Sequence, residues 1–211
     1  MKLDNVTLLC IDDLNPCMAH ELLYDLNKTI KFESTKLFCS DFDSEFSIKT
    51  PPMKHYGEYD RFVIKELYKY IDTEFCLIVQ RDGFFVNPNS WNDEYFSYDY
   101  IGAPWPNGGV GNGGFSFRSR SLLEFIANHE LSQNPYYDFT PEDGLICSDF
   151  HQDLIKAGHT FAPYEVAVKF SVEGEFLVEE ETFGFHGRHT FNFNKYNQEN
   201  KIFKHIKIYH Q

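Results

Sequence analysis

At 211 residues the chain reads as one large domain, and its 42% hydrophobic and 18% aromatic content supplies a sizeable core, which excludes a disordered chain. A net charge of −13 sets aside a nucleic-acid partner, because neutralising phosphates takes a basic face. The 5 cysteines are odd in number and form no C-x-x-C pair, which argues against a disulfide framework or zinc site and for a reducing compartment.

The first apolar run, NVTLLCI (residues 5–11), predicts a buried strand ending at Asp12-Asp13. It is too short for a signal peptide or a membrane span, so a cytoplasmic protein is expected. A helix is predicted over residues 16–30, with Met18, Leu22, Leu23 and Leu26 on one face. STKLFCS (34–40) reads as a second strand, ending at Asp41, and Pro51-Pro52 marks a loop. Residues 58–71 have a helical period, with Phe62, Ile64, Leu67 and Ile71 inward, and EFCLIVQ (74–80) is a third strand.

Strands alternating with helices predict an α/β fold with a mostly parallel sheet covered by helices. In such sheets ligands lie beyond the carboxyl ends of the strands, where Asp12, Asp13, Asp41 and Asp82 all fall. The middle of the chain, YDYIGAPWPNGGVGNGGFSFRSR (98–120), is too rich in Gly and Pro for one regular element. Helices follow over 118–129 and 140–158, and the remainder mixes short strands with loops.

Four stretches carry candidate chemistry. In LIVQRDGFFV (77–86), Asp82-Gly83 is either the corner of a hairpin or a carboxylate offered to Mg²⁺ or Mn²⁺ at a strand end. In GGVGNGGFSFRSR (108–120), five glycines between apolar flanks form a surface loop or the wall of a ligand cleft. In TPED (140–143), Thr140 is an expected N-cap, with Pro141 at the first helical position and Asp143 at capping-box spacing. A carboxylate at a helix start also stays ionised, as a general base must. In GFHGRH (184–189), His186 is a structural histidine or a ligand completing a metal site begun by Asp82.

In this order the four resemble the common core of GT-A glycosyltransferases. The segments LIVQRDGFFVNPNSW, YDYIGAPW, VGNGGFSFRSR, PEDGLIC and FGFHG are similar to those of a bacterial and viral family of domains of unknown function within that superfamily. The resemblance implies a single GT-A-like, Rossmann-related domain. Residues 1–100 would bind a nucleotide sugar, 101–194 would form the acceptor and catalytic half, and 195–211 a basic tail. Asp82 matches the last acid of the family's D-x-D metal motif, while Gln80 stands where the first acid usually is. Gly113 and Gly114 match its glycine-rich segment, Glu142 and Asp143 its x-E-D motif, and His186 its late metal-binding histidine.

The implied activity is transfer of a sugar from a nucleotide-diphosphate sugar to a hydroxyl of a glycan or lipid-linked acceptor. Asp82 and His186 would hold Mn²⁺ or Mg²⁺, and Asp143, or else Glu142, would accept the proton with inversion at the anomeric carbon. Trp105, Asn112 and Arg118 would touch sugars, and Asp12 and Asp41 would flank the nucleoside. Two readings from other classes stand beside this one: a metal-dependent hydrolase and a non-catalytic sugar or nucleotide-sugar binding module. The tail sets Lys195, Lys201, Lys204 and Lys207 against Glu199 and interleaves apolar residues. It is expected to pack on the domain, with contact to an anionic membrane as the second reading.

Overall fold

A computed structural model describes residues 1–106, 108–133, 140–174, 178–179, 181–187 and 205. Three parallel strands open the chain: β1 (Lys2–Ile11), β2 (Lys31–Cys39) and β3 (Ser47–Lys49). The helix α1 (Pro16–Thr29) joins the first two. It starts where Asn15 accepts a hydrogen bond from the Met18 amide at 3.3 Å, with Pro16 just inside. After α2 (Tyr56–Lys65), the strand β4 (Phe75–Ile78) pairs parallel with the other edge of β1. Two antiparallel strands, β7 (Ser116–Ser119) and β6 (Tyr100–Ile101), then extend the sheet in the order β3-β2-β1-β4-β7-β6. The fold is therefore mixed α/β with a six-stranded, mostly parallel sheet.

Both faces of this sheet are covered, which is why its strands read as unbroken apolar runs. Leu8, Cys10, Leu37, Cys39, Leu77 and Val79 join α1 residues Leu22, Leu23 and Leu26 in one buried cluster. Leu9, Ile11, Phe38, Cys76 and Ile78 join Phe62 and Val63 of α2 and Leu123 of α3 (Arg120–Asn128) in a second. The helix expected over 58–71 is broken at Glu66 (φ −124°) and resumes as a 3₁₀ turn, Leu67–Tyr70. Phe62, Ile64, Leu67 and Ile71 are nevertheless all buried, as the periodicity predicts.

Two boundaries differ from expectation. Arg118 lies in β7 rather than in a helix, and α3 begins after Ser119, which caps the Leu122 amide at 3.1 Å. The segment 140–158 is not one helix but α4 (Glu142–Gly144), a π-helical turn (Leu145–Asp149) and α5 (His151–Lys156). Thr140 is not the cap, because Pro141 holds the cap position with extended backbone (φ −51°, ψ 140°). The wide turn closes with Phe150 N–H donating to Leu145 C=O at 2.7 Å, and it brings Leu145, Ile146, Cys147 and Phe150 into the core.

A smaller sheet has the order β5-β9-β8. In it β9 (Gly184–His186) lies between β5 (Gly83–Phe85) and β8 (Ser171–Val172), which follows α6 (Tyr164–Phe170). Its Phe84, Phe85 and Phe185, with Phe183 just before β9, belong to the first cluster. The tail expected at 195–211 lies outside the described residues except for His205, which is buried with Nε2 3.0 Å from Oδ2 of Asp25 on α1. Among the described residues no helix is long and apolar enough to cross a membrane.

Candidate active site

The chain turns tightly where β4 ends. Gln80 N–H donates to Gly83 C=O at 2.7 Å and Gly83 N–H donates to Gln80 C=O at 3.0 Å, so Arg81 and Asp82 form the corner. Asp82-Gly83 is thus the tight turn expected of a hairpin, but the strands on either side join different sheets and share only the Gln80–Gly83 bridge. The corner also starts β5, whose antiparallel register with β9 sets Gly83 opposite His186. That register carries a strand-end carboxylate to a histidine a hundred residues away in sequence.

Nε2 of His186 lies 3.2 Å from Oε1 of Gln80 and 3.9 Å from Oδ1 of Asp82. Its Nδ1 is 3.0 Å from Oε1 of Glu173, just after β8. Oε1 of Gln80 can only accept, so Nε2 donates to it in this arrangement; with the proton on Nδ1 toward Glu173 instead, the Nε2 lone pair would be open to a cation. Two donors on one octahedral ion with bonds of about 2.1 Å stand about 3 Å apart when adjacent and about 4.2 Å apart when opposite. The 3.2 Å separation suits adjacent positions and 3.9 Å matches neither, so the donor types of Asp82, His186 and Gln80 suit Mn²⁺ or Mg²⁺ while the His186–Asp82 spacing would have to change to hold one. Only two of the three are Asp or His: among the described residues no group of three or more His, Cys, Asp and Glu is arranged to hold a metal.

The second cluster surrounds Arg118. Its guanidinium meets Glu142 through two hydrogen bonds, 2.7 and 2.8 Å, and stands 4.9 Å over the Tyr100 ring. Neither charged side chain reaches solvent, at 0% and 3% exposure. Burial pulls the guanidinium down, but the Glu142 charge overrides this and holds it well above its ordinary range. Burial also pushes the Glu142 carboxyl up against the opposing Arg118 charge. The bidentate geometry keeps the pair ionised. Arg118, expected to touch a sugar, has no surface with which to do so, and Glu142 is occupied by it. Both calls are corrected by this pairing.

Asp143 points its two oxygens at backbone amides, Oδ1 at Gly144 (2.9 Å) and Oδ2 at Asn112 (3.0 Å). The capping-box contact with Thr140 is thus replaced by one to the glycine-rich loop. Asn112 adopts a left-handed φ of 66°, and its own Oδ1 accepts from the Gly114 amide at 3.1 Å. It is 3% exposed and builds the loop, while its Nδ2 has no hydrogen-bond partner among the described residues. Trp105 lays its indole on Gly111, where a Cβ would come within 2.0 Å of the ring.

The glycine pair lies between the two clusters. A Cβ on Gly113 would fall 1.7 Å from Oε1 of Glu142, and one on Gly114 would fall 2.1 Å from Nε2 of His186 and 2.7 Å from Oε1 of Gln80. β7 sets this up, since Ser116 pairs with Ile78 and the residues before it run past the end of β4. From Val110 on the loop is buried and packed between the two clusters, which sets aside the surface-loop reading for that part.

The remaining expected donor-side residues are at the strand ends. Asp12 Oδ1 accepts from the amides of Leu14 (2.8 Å) and Asn15 (2.7 Å), and Oδ2 pairs with Arg81 of the β4–β5 corner. Asp41 is exposed at the end of β2. Asp13 ties neighbouring loops by accepting from the amides of Ser40 and Met53, each at 2.5 Å.

Two residues of the site carry no sequence signal. Glu173 follows a two-residue strand in no motif. Asp60 sits in α2, where its Oδ1 accepts from the Glu142 amide at 3.2 Å. Burial pushes the Asp60 carboxyl up to about 6; the Glu142 amide opposes this, the charges of Glu142 and Asp143 add to it, and Arg118 opposes it. A cavity of about 510 Å³ opens elsewhere, lined by Glu74, Phe75, Tyr98, Asp99, Ser119 and Glu124 among others. It lies at the opening end of β4, and none of Asp82, His186, Glu142 and Asp143 lines it.

Comparison with known proteins adds three findings. Residues 44–186 match the family described as "Protein of unknown function (DUF5672)". Among solved structures, "a glycosyltransferase involved in the glycosylation of the major capsid of PBCV-1" matches with a TM-score of 0.50 and 12% identity, over 98% of this chain and 99% of that one. A protein from STIV matches with a TM-score of 0.37 and 12% identity, over 65% of this chain and 78% of that one. The comparison with curated proteins gives no match. The PBCV-1 enzyme shares the fold of this chain at an identity too low to carry its chemistry across.

Proposed function

The chain belongs to the DUF5672 family of proteins of unknown function, and on that footing we propose that it is a glycosyltransferase. It would move a sugar from a nucleotide-diphosphate sugar to a hydroxyl of a glycan or lipid-linked acceptor, with inversion. The carrying observation is the loop over residues 112–114, whose Gly114 lies flush against His186 and Gln80 while the Asn112 amide donates to Asp143 at 3.0 Å. A leaving-group subsite and a base subsite held together by one short loop suit a reaction in which both act on one carbon. The glycosyltransferase fold of the PBCV-1 neighbour supports the same class.

In this reading residues 1–100 serve the donor and 101–194 the acceptor. Asp12 and Asp41 flank the nucleoside from the strand ends. A Mn²⁺ or Mg²⁺ ion held by Asp82 and His186, with the carbonyl oxygen of Gln80, supplies positive charge beside the departing diphosphate. Glu173 orients His186 for that task. Asp143 accepts the acceptor's proton as its hydroxyl attacks, and Asn112 holds Asp143 through the backbone. The Arg118–Glu142 pair anchors the start of α4 and touches neither substrate. Trp105, on the glycine loop, offers a ring face for sugar stacking.

Thermal unfolding in the presence of nucleoside diphosphates and their sugars, with Mn²⁺ or with EDTA, tests the donor half of the proposal. A nucleotide-specific rise in melting temperature that EDTA abolishes is expected. No rise with any nucleotide would contradict it. One observation favours a non-catalytic binding module: both Asp143 oxygens already have backbone partners, as a purely structural carboxylate would. Such a module would show the same melting shift and no sugar transfer.

A further inference from the structure

Two carboxyl groups, those of Asp60 and Glu142, lie in the field of one guanidinium, that of Arg118, with Asp143 beside them. Their compensation is unequal. Glu142 takes both ends of Arg118, at 2.7 and 2.8 Å, and Asp143 takes two backbone amides, at 2.9 and 3.0 Å. Asp60 takes one amide at 3.2 Å, that of Glu142. This single bond spans 82 residues of sequence and ties α2 to the first helical residue of α4, the segment on which Asp143 is mounted.

We propose that Asp60 is a positioning residue for Asp143, tethering the start of α4. The inference rests on the reading of Asp143 as the base. The hydrogen bond from the Glu142 amide to Oδ1 of Asp60 fixes the residue before Asp143 to α2, while Arg118 of β7 holds the Glu142 side chain. Asp143 is thereby held where its Oδ2 accepts from the Asn112 amide at 3.0 Å.

The test needs no substrate: amide hydrogen exchange of the whole chain is followed by NMR. Asp60→Asn keeps an oxygen for the Glu142 amide and should preserve its slow exchange, whereas Asp60→Ala should speed that exchange about tenfold or more. Unchanged Glu142 exchange in Asp60→Ala overturns the tether, as does exchange in Asp60→Asn as fast as in Asp60→Ala. Slow exchange lost in Asp60→Ala and kept in Asp60→Asn, in a protein that transfers no sugar, would leave the tether in place and sink the transferase reading instead.

Discussion

A β-carbon on Gly114 would lie 2.1 Å from Nε2 of His186. The loop backbone is thus pressed against the imidazole edge that faces Asp82 and Gln80. Gly114→Ala must displace His186 or the loop, and overpacking of this kind costs about 1–3 kcal/mol. The expected result is a lower melting temperature together with weaker Mn²⁺ binding by calorimetry. Wild-type Mn²⁺ binding in this variant would show that His186 does not serve the ion.

The Arg118–Glu142 pair gives a larger effect. Glu142→Gln leaves a guanidinium buried without its counter-charge, a loss of about 3–5 kcal/mol. Urea unfolding measures it, and a change below about 1 kcal/mol would mean that the pair opens to water.

Glu173 acts on the ion only through His186. Outer partners of metal-binding histidines typically contribute about 10–100-fold in affinity, so Glu173→Gln should weaken Mn²⁺ binding by that order while the fold is kept. Equal affinity in the variant would detach Glu173 from the site.

Asp60 makes stability depend on pH in a stated direction. Its folded-state carboxyl is raised from 3.8 to about 6, so between those values the folded state holds a proton that the unfolded state has released. Wild-type stability should therefore fall as pH rises through that window and level off above it, by about 1–3 kcal/mol for this half-buried group. Asp60→Asn removes the fall. Melting curves at several pH values for the two proteins check it, and parallel curves would contradict it.

The legible parts of this protein were those whose cause is local. The apolar runs of β1, β2 and β4 announce strands buried on both faces, and the acids that follow them mark the carboxyl edge of the sheet. Asp82 was visible because the turn that exposes it is written in the next residue, Gly83. Arg118 was misassigned because burial is decided by what packs on it: the side chain is sealed in by Glu142 and Tyr100, which arrive from distant segments. Asp60 and Glu173 were invisible for the same reason. Each acquires its role from one long-range contact, to the Glu142 amide and the His186 ring, that no spacing encodes. The helix expected over 140–158 failed where Pro141 and the π-helical turn reset its phase to bury Leu145 and Ile146.

The central claim is that Asp143 takes the acceptor's proton. Asp143→Asn keeps an oxygen for one backbone amide and removes the basic carboxylate, so it separates binding from chemistry. With a donor nucleotide sugar identified by thermal shift, transfer to an acceptor hydroxyl should fall by about 10²–10⁴-fold in this variant, while nucleotide affinity stays near the wild-type value. Wild-type turnover in Asp143→Asn would contradict the assignment.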